Sequence, residues 1–141
     1  MIDSEFNYSR PVQFHETDVM GVVHHVNYLK YFEEARVAWL TWSGMRETHF
    51  PFCDRMLAVL SSQVFHDGAC RFGDHIEIRL QVRVLRLKIE FQYVITKTPS
   101  GETVARGSTL HVLVDNQLKP CRPERRFVEY VEKQKWIETL L

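Results

Sequence analysis

Apolar residues follow a helical spacing in the first third of the chain and alternate with polar residues over most of the second half. From Asn27 onwards the apolar side chains recur at steps of one, three or four positions, and the pattern stops before Gly44. This spacing predicts one long amphipathic helix whose apolar face is wide enough to lie on a sheet. The apolar positions on that face are Tyr28, Tyr31, Phe32, Ala35, Trp39 and Trp42.

Four segments after the helix show the two-residue alternation of β-strands. Long strands with strict alternation predict an antiparallel sheet that has one covered face and one polar face. A further strand is predicted at residues 6–14, where Pro11 indicates a sheet edge or a bulge. The four later segments are residues 58–66, 76–84, 88–96 and 104–114.

Residues 124–141 return to a helical pattern. One strand, one long helix, four strands and a terminal helix predict an α+β fold of two layers, formed as a single domain over residues 1–141. Since one helix cannot easily cover a whole face of a five-stranded sheet, we expect copies of the chain to associate. The apolar positions of the terminal helix are Phe127, Val128, Val131 and Trp136.

Composition restricts the class of protein without identifying it. The 18 Lys and Arg residues balance the 18 Asp and Glu residues, so the formal net charge is zero. We therefore expect neither nucleic acid nor an anionic membrane as a partner. The N-terminus lacks the pattern of a signal peptide, and no apolar run approaches the roughly 20 residues of a membrane-spanning helix. Cys53, Cys70 and Cys121 form no C-x-x-C pair, so we expect no zinc and no disulfides and infer a reduced, cytoplasmic protein.

The stretch before the long helix combines an acid, a glycine and two histidines. The first N–H groups of a helix have no partner within the helix, and they suit the oxyanion that forms when a carbonyl is attacked. Gly21 allows the backbone to turn or to approach a ligand closely. Asp18 is a candidate general base or direct nucleophile in acyl transfer. Spacing alone favours a loop carboxylate that caps a turn or the helix.

Two other chemistries fit this sequence less well. The neighbouring residues His24 and His25, taken with His15 or Asp18, suggest a metal pair. Adjacent histidines point in different directions, however, and no third ligand follows at the spacing of a helical metal site. Cys53 near His49 lacks a third group to orient it, so we interpret it as a structural cysteine.

The remaining polar candidates have ordinary structural interpretations. Glu33 and Arg36 stand three positions apart, the spacing of an ion pair on a helix. His66, His75 and His111 fall in predicted strands or turns, and we expect them to be surface residues or to have hydrogen-bond partners.

The run TDVMGVVHHVNYLKYFEEAR, residues 17–36, resembles the signature of the 4-hydroxybenzoyl-CoA thioesterase-like family of hotdog-fold acyl-CoA thioesterases. It looks most like the branch that contains the Tol–Pal-associated acyl-CoA thioesterases. The likeness continues at CRFGDHIEI, residues 70–78, and at ARGSTLHVLVDNQLKPCRP, residues 105–123. The residues that match the family pattern are Asp18, Gly21, Val23, His25, Tyr28, Glu33, Ala35 and Arg36.

This resemblance implies a hotdog fold, in which a five-stranded antiparallel sheet wraps one long helix. It also implies a homodimer or homotetramer with the site at the dimer interface, and no cofactor. Asp18 would be the nucleophile or the general base, and the backbone N–H of His25 would polarise the thioester carbonyl. Gly21 would shape the turn between them.

The resemblance also implies where an acyl-CoA substrate lies. His24 stands where the family usually has an aromatic residue, which alters the acyl pocket but not a backbone donor. We expect His24 and Tyr28 to contact a short-chain or aromatic acyl group, with Glu33 in support. Arg71 and Lys88 are candidates for binding CoA on charge alone.

The sequence thus predicts a thioester hydrolase that converts a short-chain or aromatic acyl-CoA to the free acid and CoA. Two alternatives stay open: hydrolysis of a thioester on an acyl carrier protein, and a non-catalytic module that binds acyl thioesters. The sequence leaves open the acyl group, the choice between nucleophile and general base, and the choice between dimer and tetramer.

Overall fold

The computed structural model describes residues 6–44, 55–138 and 140–141. Cys53, interpreted as a structural cysteine, and His49 lie outside these residues. The elements follow one another in the predicted order, and a short 3-10 helix at Phe14–Glu16 precedes the long helix. The strands and α-helices are β1 (Tyr8–Pro11), α1 (Val26–Trp42), β2 (Met56–His66), β3 (His75–Leu85), β4 (Lys88–Thr98), β5 (Thr103–Val114) and α2 (Arg125–Glu132).

The five strands form one sheet in the order β1-β3-β4-β5-β2, and every neighbouring pair is antiparallel. The neighbouring strands β3 and β4, each of 11 residues, stay in register from the pair His75 and Thr98 to the pair Leu85 and Lys88. The alternating pattern of the sequence therefore predicted the sheet correctly. Strand β2 forms one edge of the sheet in the single chain.

Helix α1 lies close against the sheet because one strand residue has no side chain. A Cβ atom on Gly107 of β5 would lie 2.5 Å from the Phe32 ring and 2.3 Å from the Gln63 carbonyl oxygen. Phe32 instead stacks on Tyr93 with ring centroids 4.2 Å apart. Trp42, predicted to lie on the apolar face, is 43% exposed near the end of the helix.

The first strand is shorter than the predicted range of residues 6–14. It ends at Pro11, which has no N–H to donate to a ladder. The next two N–H groups bond elsewhere: that of Val12 to the Asp74 carbonyl oxygen, and that of Gln13 to the Glu16 carboxylate. The chain consequently turns away from the sheet and delivers the 3-10 helix to the start of α1.

The terminal helix is also shorter than predicted, since α2 ends at Glu132. Trp136 lies under the Arg83 guanidinium, which is 4.2 Å from the ring centroid. The Gln81 side chain accepts a hydrogen bond from the Ile137 N–H and donates one to the Ile137 carbonyl, both 3.0 Å long. These contacts hold the tail on the sheet face opposite α1, where its backbone bonds to a side chain instead of forming another helical turn.

Candidate functional site

The loop before α1 folds back on itself as a small hairpin. Thr17 and Val23 form an isolated antiparallel bridge, and the Asp18 N–H donates to the Val22 carbonyl at 2.8 Å. The turn closes through the Gly21 N–H, which donates to the Asp18 carbonyl at 2.9 Å. Gly21 has a φ of 78°, a left-handed conformation that glycine adopts at little cost. The glycine therefore allows the tight turn of the hairpin.

The Asp18 carboxylate is half-buried and uses only one of its oxygens within the loop. Its Oδ1 accepts the N–H of Met20 at 2.8 Å, so the side chain does cap the turn. Within the described residues, Oδ2 has no hydrogen-bond donor. The acid therefore combines a fixed position with one oxygen that remains open for chemistry.

The start of α1 presents one backbone N–H without a partner. The His24 N–H donates to the Glu16 carbonyl at 2.9 Å, and the Val26 N–H to His24 Nδ1 at 3.3 Å. Between them, the His25 N–H finds no acceptor in the described part of the chain. An unpaired N–H at the positive end of a helix dipole favours a negatively charged oxygen nearby.

A buried ionic cluster lies directly beneath this loop, and the sequence interpretation missed it. Glu16 is only 6% exposed, yet its carboxylate receives Arg10 Nη2 at 2.6 and 2.7 Å. It also accepts the Tyr31 hydroxyl at 3.0 Å. The other nitrogen of the guanidinium, Arg10 Nη1, contacts both oxygens of Glu34 at 2.8 and 2.7 Å.

The electrostatics of this cluster set the protonation states of Arg10 and Tyr31. Burial by itself would lower the pKa of the Arg10 guanidinium. The hydrogen bond to Glu34 and the charges of Glu34 and Glu16 outweigh that effect and raise it. Burial, together with the hydrogen bond to Glu16, raises the pKa of the Tyr31 hydroxyl. The arginine therefore stays charged while the tyrosine stays neutral and donates its proton to the carboxylate.

Four rings gather beside the helix start. His24 and His25 stack with ring centroids 4.4 Å apart, so the expectation that these adjacent histidines point in different directions was wrong. His66, at the end of β2, lies 6.4 Å from His25 and 5.3 Å from Tyr28, measured between centroids. The sequence interpretation missed His66, because only strand pairing brings the end of β2 to the start of α1. Together the rings form a wall beside the helix start, in which His24, His25 and His66 keep exposed surface and Tyr28 is only 3% exposed.

Cys70 lies behind this wall and is not a candidate nucleophile. It is fully buried, and its carbonyl accepts the Val23 N–H at 2.8 Å. Burial raises the pKa of the Cys70 thiol to about 11, so it stays protonated at neutral pH. Burial likewise raises the pKa of the neighbouring Tyr28 hydroxyl, reinforced by its hydrogen bond to Cys70.

Arg71 joins the site, and two other candidates lie apart from it. Arg71 pairs with Val22 through an isolated bridge, and its Nη1 lies 3.5 Å from the position of a Cβ on Gly21. Glu33 is eight residues beyond His25, about 12 Å along the helix axis. Its side chain is 71% exposed and lies 3.8 Å from Arg36. Lys88 begins β4 at the opposite end of the strands from the loop.

A second buried polar cluster crosses from α1 to the sheet, and it corrects the interpretation of His111. Arg36 Nη1 donates to the Tyr93 hydroxyl at 3.2 Å, and that hydroxyl lies 2.7 Å from Thr109 Oγ1. Thr109 Oγ1 in turn lies 2.8 Å from His111 Nε2. His111 is fully buried, and its Nδ1 has no hydrogen-bond partner among the described residues, so it is not a surface residue and only its Nε2 is paired. Burial, aided by the Arg36 charge, lowers the pKa of His111 to about 3.

Other surface features of the described residues do not extend the site. Cavities of about 510 and 770 Å³ adjoin the β3–β4 hairpin at Leu85 to Lys88, and one of about 320 Å³ lies on the outer sheet face beside Arg79. No group of three or more His, Cys, Asp or Glu side chains among these residues is arranged to hold a metal ion. Neither described helix has the length and apolar character that crossing a bilayer requires.

Comparison with known proteins identifies the family. Residues 12–133 match the model of the thioesterase-like superfamily. A provisionally named esterase of Aquifex aeolicus is 34% identical over 112 residues, which cover 79% of this chain and 86% of that protein. A 1,4-dihydroxy-2-naphthoyl-CoA hydrolase of Synechococcus elongatus is 25% identical over 126 residues, covering 85% and 89%.

The fold agrees with that result. The crystal structure of a 1,4-dihydroxy-2-naphthoyl-CoA thioesterase from Synechocystis superposes with a TM-score of 0.78 over 89% of this chain and 94% of that one, at 21% identity. The predicted hotdog fold is thereby confirmed, as is the prediction of a thioester hydrolase. The chain belongs to the thioesterase-like superfamily.

Proposed function

We propose that this chain is an acyl-CoA thioesterase that releases the free acid and CoA. One observation carries the proposal: the unpaired His25 N–H and the open oxygen of Asp18 flank the same hairpin at the start of α1. An oxyanion donor and a carboxylate placed together are the two groups that thioester hydrolysis requires. The relationship to 1,4-dihydroxy-2-naphthoyl-CoA hydrolases supports CoA as the leaving group.

The chemistry follows from these two groups. The thioester carbonyl oxygen accepts the His25 N–H, which stabilises the negative charge that develops on it. In one route Asp18 attacks the carbonyl carbon, the C–S bond breaks, and the CoA thiolate leaves and takes up a proton. Water then hydrolyses the mixed anhydride and restores the carboxylate. In the other route Asp18 takes a proton from water as the water oxygen attacks the carbonyl; the C–S bond then breaks, and the CoA thiolate leaves and takes up that proton.

The acyl group in this proposal is short or aromatic. His24 and Tyr28 belong to the wall of rings beside the helix start, which supports a flat acyl group. The dihydroxynaphthoyl group named for one relative is aromatic as well. Arg71 is the proposed contact for the charged CoA portion, whereas the exposed Glu33, about 12 Å from His25 along the helix, has no role in this proposal.

We also propose a homodimer or homotetramer whose site lies at the dimer interface. Strand β2 is a sheet edge in the single chain, and it exposes Val59, Leu60 and Phe65. An exposed apolar edge strand favours pairing with another chain. Because β2 ends at His66, beside His25, a partner on this edge would lie next to the rings of the site.

Three further assignments belong to the proposal. Residues 1–141 form a single domain, and the protein works in the cytoplasm without nucleic-acid partners or membrane insertion. Within the superfamily the chain belongs to the branch of the Tol–Pal-associated thioesterases. This branch assignment rests on the motif that begins at Asp18 and ends at Arg36.

The test is thiol release from a panel of aliphatic and aromatic acyl-CoA esters, with wild type and Asp18→Asn. We expect wild type to hydrolyse aromatic or short esters, and we expect the variant to lose about 10²–10⁴-fold in kcat. Asp115→Asn is a matched control, because Asp115 also caps a turn, accepting the N–H groups of Gln117 and Lys119 at 2.9 and 3.0 Å. It should turn over normally.

Two results would overturn the proposal. If wild type releases no thiol from any ester of the panel, the chain is not an acyl-CoA thioesterase, and matched carrier-protein thioesters then test the other substrate class. If Asp18→Asn keeps the turnover of Asp115→Asn, the carboxylate serves only to cap its turn.

A further inference from the structure

We propose that Glu16 is the positioning residue of this site, setting the Asp18 carboxylate and the His25 N–H relative to each other. The inference rests on the proposed function and assigns a role to a residue outside the family motif. Glu16 precedes Asp18 by two residues, and it contacts the chain on both sides of the hairpin.

The main chain of Glu16 holds the residues that follow the hairpin, at the start of α1. Its carbonyl oxygen accepts the His24 N–H at 2.9 Å and the Asn27 side-chain Nδ2 at 2.8 Å. The first bond fixes the peptide immediately before the proposed oxyanion donor. The second ties the same oxygen to the first turn of α1. A shift of Glu16 therefore moves the direction in which the His25 N–H points.

The side chain of Glu16 holds the residues that precede the hairpin. Its Oε1 accepts the Gln13 N–H at 2.7 Å, and Arg10 contacts both oxygens. Arg10 is itself immobilised, because it lies 4.5 Å above the Tyr31 ring and is paired with Glu34. The carboxylate therefore connects strand β1, the 3-10 helix and helix α1 at one point.

Folding stability alone does not explain why a glutamate is buried at this position. The free energy spent in removing two charges from water cancels much of the free energy gained from their attraction. Apolar residues of similar size therefore often stabilise a fold as well as a buried ion pair does. What a convergent set of hydrogen bonds provides in addition is a fixed geometry. A thioester site depends on geometry, because small displacements of the reacting groups reduce the rate steeply.

The test is the steady-state kinetics of Glu16→Gln, which keeps the size of the side chain but turns an amide NH₂ towards Arg10. We expect kcat to fall about 10- to 100-fold. We expect KM to stay within about twofold, because the rings and Arg71 that bind substrate are unchanged. The assay is run well below the melting temperature of the variant, so that all molecules are folded.

Glu90→Gln is the matched control. Glu90 lies 2.7 Å from Arg83, and its side chain is only 17% exposed, but it belongs to the outer sheet face away from the loop. We expect it to lose some stability and to keep wild-type kcat. The double variant Arg10→Gln/Glu16→Gln should be no more than about threefold slower than the slower single variant, since both act through one contact.

Hydrogen exchange separates failure of this inference from failure of the proposed function. The His24 amide, which bonds to the Glu16 carbonyl, should exchange at least about tenfold faster in Glu16→Gln and at an unchanged rate in Glu90→Gln. This measurement supports or overturns the positioning role even if wild type hydrolyses no ester. Should Glu16→Gln not fold, Tyr31→Phe removes one donor to the carboxylate and should lower kcat about threefold.

The positioning role is wrong if Glu16→Gln only melts earlier while its kcat and its His24 exchange match those of Glu90→Gln. If in the same experiments Asp18→Asn is inactive, the proposed function still stands.

Discussion

Helix α1 lies over two buried polar clusters of similar composition and different completeness. The start cluster lies beneath the first turns of the helix and consists of Arg10, Glu16, Tyr31 and Glu34. The sheet cluster lies farther along and consists of Arg36, Tyr93, Thr109 and His111. Each contains one arginine and one fully buried tyrosine hydroxyl.

The two clusters differ in whether every buried polar group has a hydrogen-bond partner. In the start cluster both carboxylates share the same guanidinium, and the Glu16 carboxylate accepts a main-chain N–H as well. In the sheet cluster the chain of contacts stops at His111, whose buried Nδ1 finds no partner in the part of the chain that the structure describes. An unpaired buried nitrogen costs free energy, whereas a charged group surrounded by donors fixes its neighbours.

This comparison indicates two uses of buried polar groups under one helix. Glu16 of the start cluster accepts the main-chain N–H groups of Gln13 and His24 on either side of the hairpin that carries Asp18, so the geometry of the cluster reaches the proposed site. The sheet cluster contacts side chains only, and links α1 to β4 and β5. We therefore expect changes in the start cluster to affect turnover and stability together, and changes in the sheet cluster to affect stability alone.

The largest expected effect comes from Arg10→Met. The change leaves Glu16 buried and negatively charged opposite Glu34, with no cation between them. Breaking one side of a buried ion pair typically destabilises a protein by about 3–5 kcal/mol. Urea unfolding of the variant measures this loss, and kcat at a temperature where it remains folded should fall as well.

Arg83→Met is the control, since Arg83 pairs with Glu90 on the outer face and is 34% exposed. The free energy of unfolding of Arg83→Met should be lower than that of wild type by about 1 kcal/mol or less, and its kcat should be unchanged. Equal losses in the two variants would show that the start cluster is no more important than a partly exposed ion pair.

The next effect is a dependence of stability on pH that comes from the sheet cluster. The pKa of His111 in the folded chain is about 3, below its ordinary value of 6.5, because burial and the Arg36 charge oppose protonation. The neutral histidine therefore contributes its full stability above pH 6.5, and this contribution is lost as the pH falls towards 3. One extra proton in the unfolded state corresponds to about 1.4 kcal/mol per pH unit.

Urea unfolding of wild type and His111→Gln between pH 7 and 5 measures this contribution. Glutamine retains a polar group near the Nε2 position, which faces Thr109, but it does not titrate. The stability of wild type relative to the variant should fall by about 2 kcal/mol between pH 6.5 and 5. Parallel curves for the two proteins would contradict the assignment of a neutral His111.

Much of this fold could be predicted from the sequence, because the signals were local. The alternation in β3 and β4 and the helical spacing of α1 each follow from residues close in the chain. The tail was predicted wrongly beyond Glu132 because the contacts that end α2 come from Gln81 and Arg83, about 50 residues away in sequence. The helical pattern at Trp136 carried no information about them.

The candidate site was partly visible in the sequence for the same reason. Asp18, Gly21 and His25 lie within eight consecutive residues, and the structure keeps them at one hairpin. His66 reaches the site only through the pairing of β2 with β5. Glu16 belongs to the same stretch as Asp18, yet its burial depends on Arg10 across the loop, and a glutamate in a polar run is ordinarily exposed.

The smallest expected effect comes from replacing a tyrosine with phenylalanine. Because each cluster contains a buried tyrosine, this substitution compares the two clusters directly. Tyr31→Phe removes the hydroxyl that donates to Glu16, and Tyr93→Phe removes the one between Arg36 and Thr109. Both tyrosines are fully buried, so each change should cost about 1–2 kcal/mol in urea unfolding.

Turnover should distinguish the two variants although their stability does not. Tyr31→Phe loosens the carboxylate that holds the Asp18 hairpin, so its kcat should fall about threefold at unchanged KM. Tyr93→Phe alters contacts between helix and sheet that touch no main-chain atom of the hairpin, so its kcat should equal that of wild type. If both variants slow turnover equally, the helix transmits any loss of packing to the site, and the distinction between the two clusters does not hold.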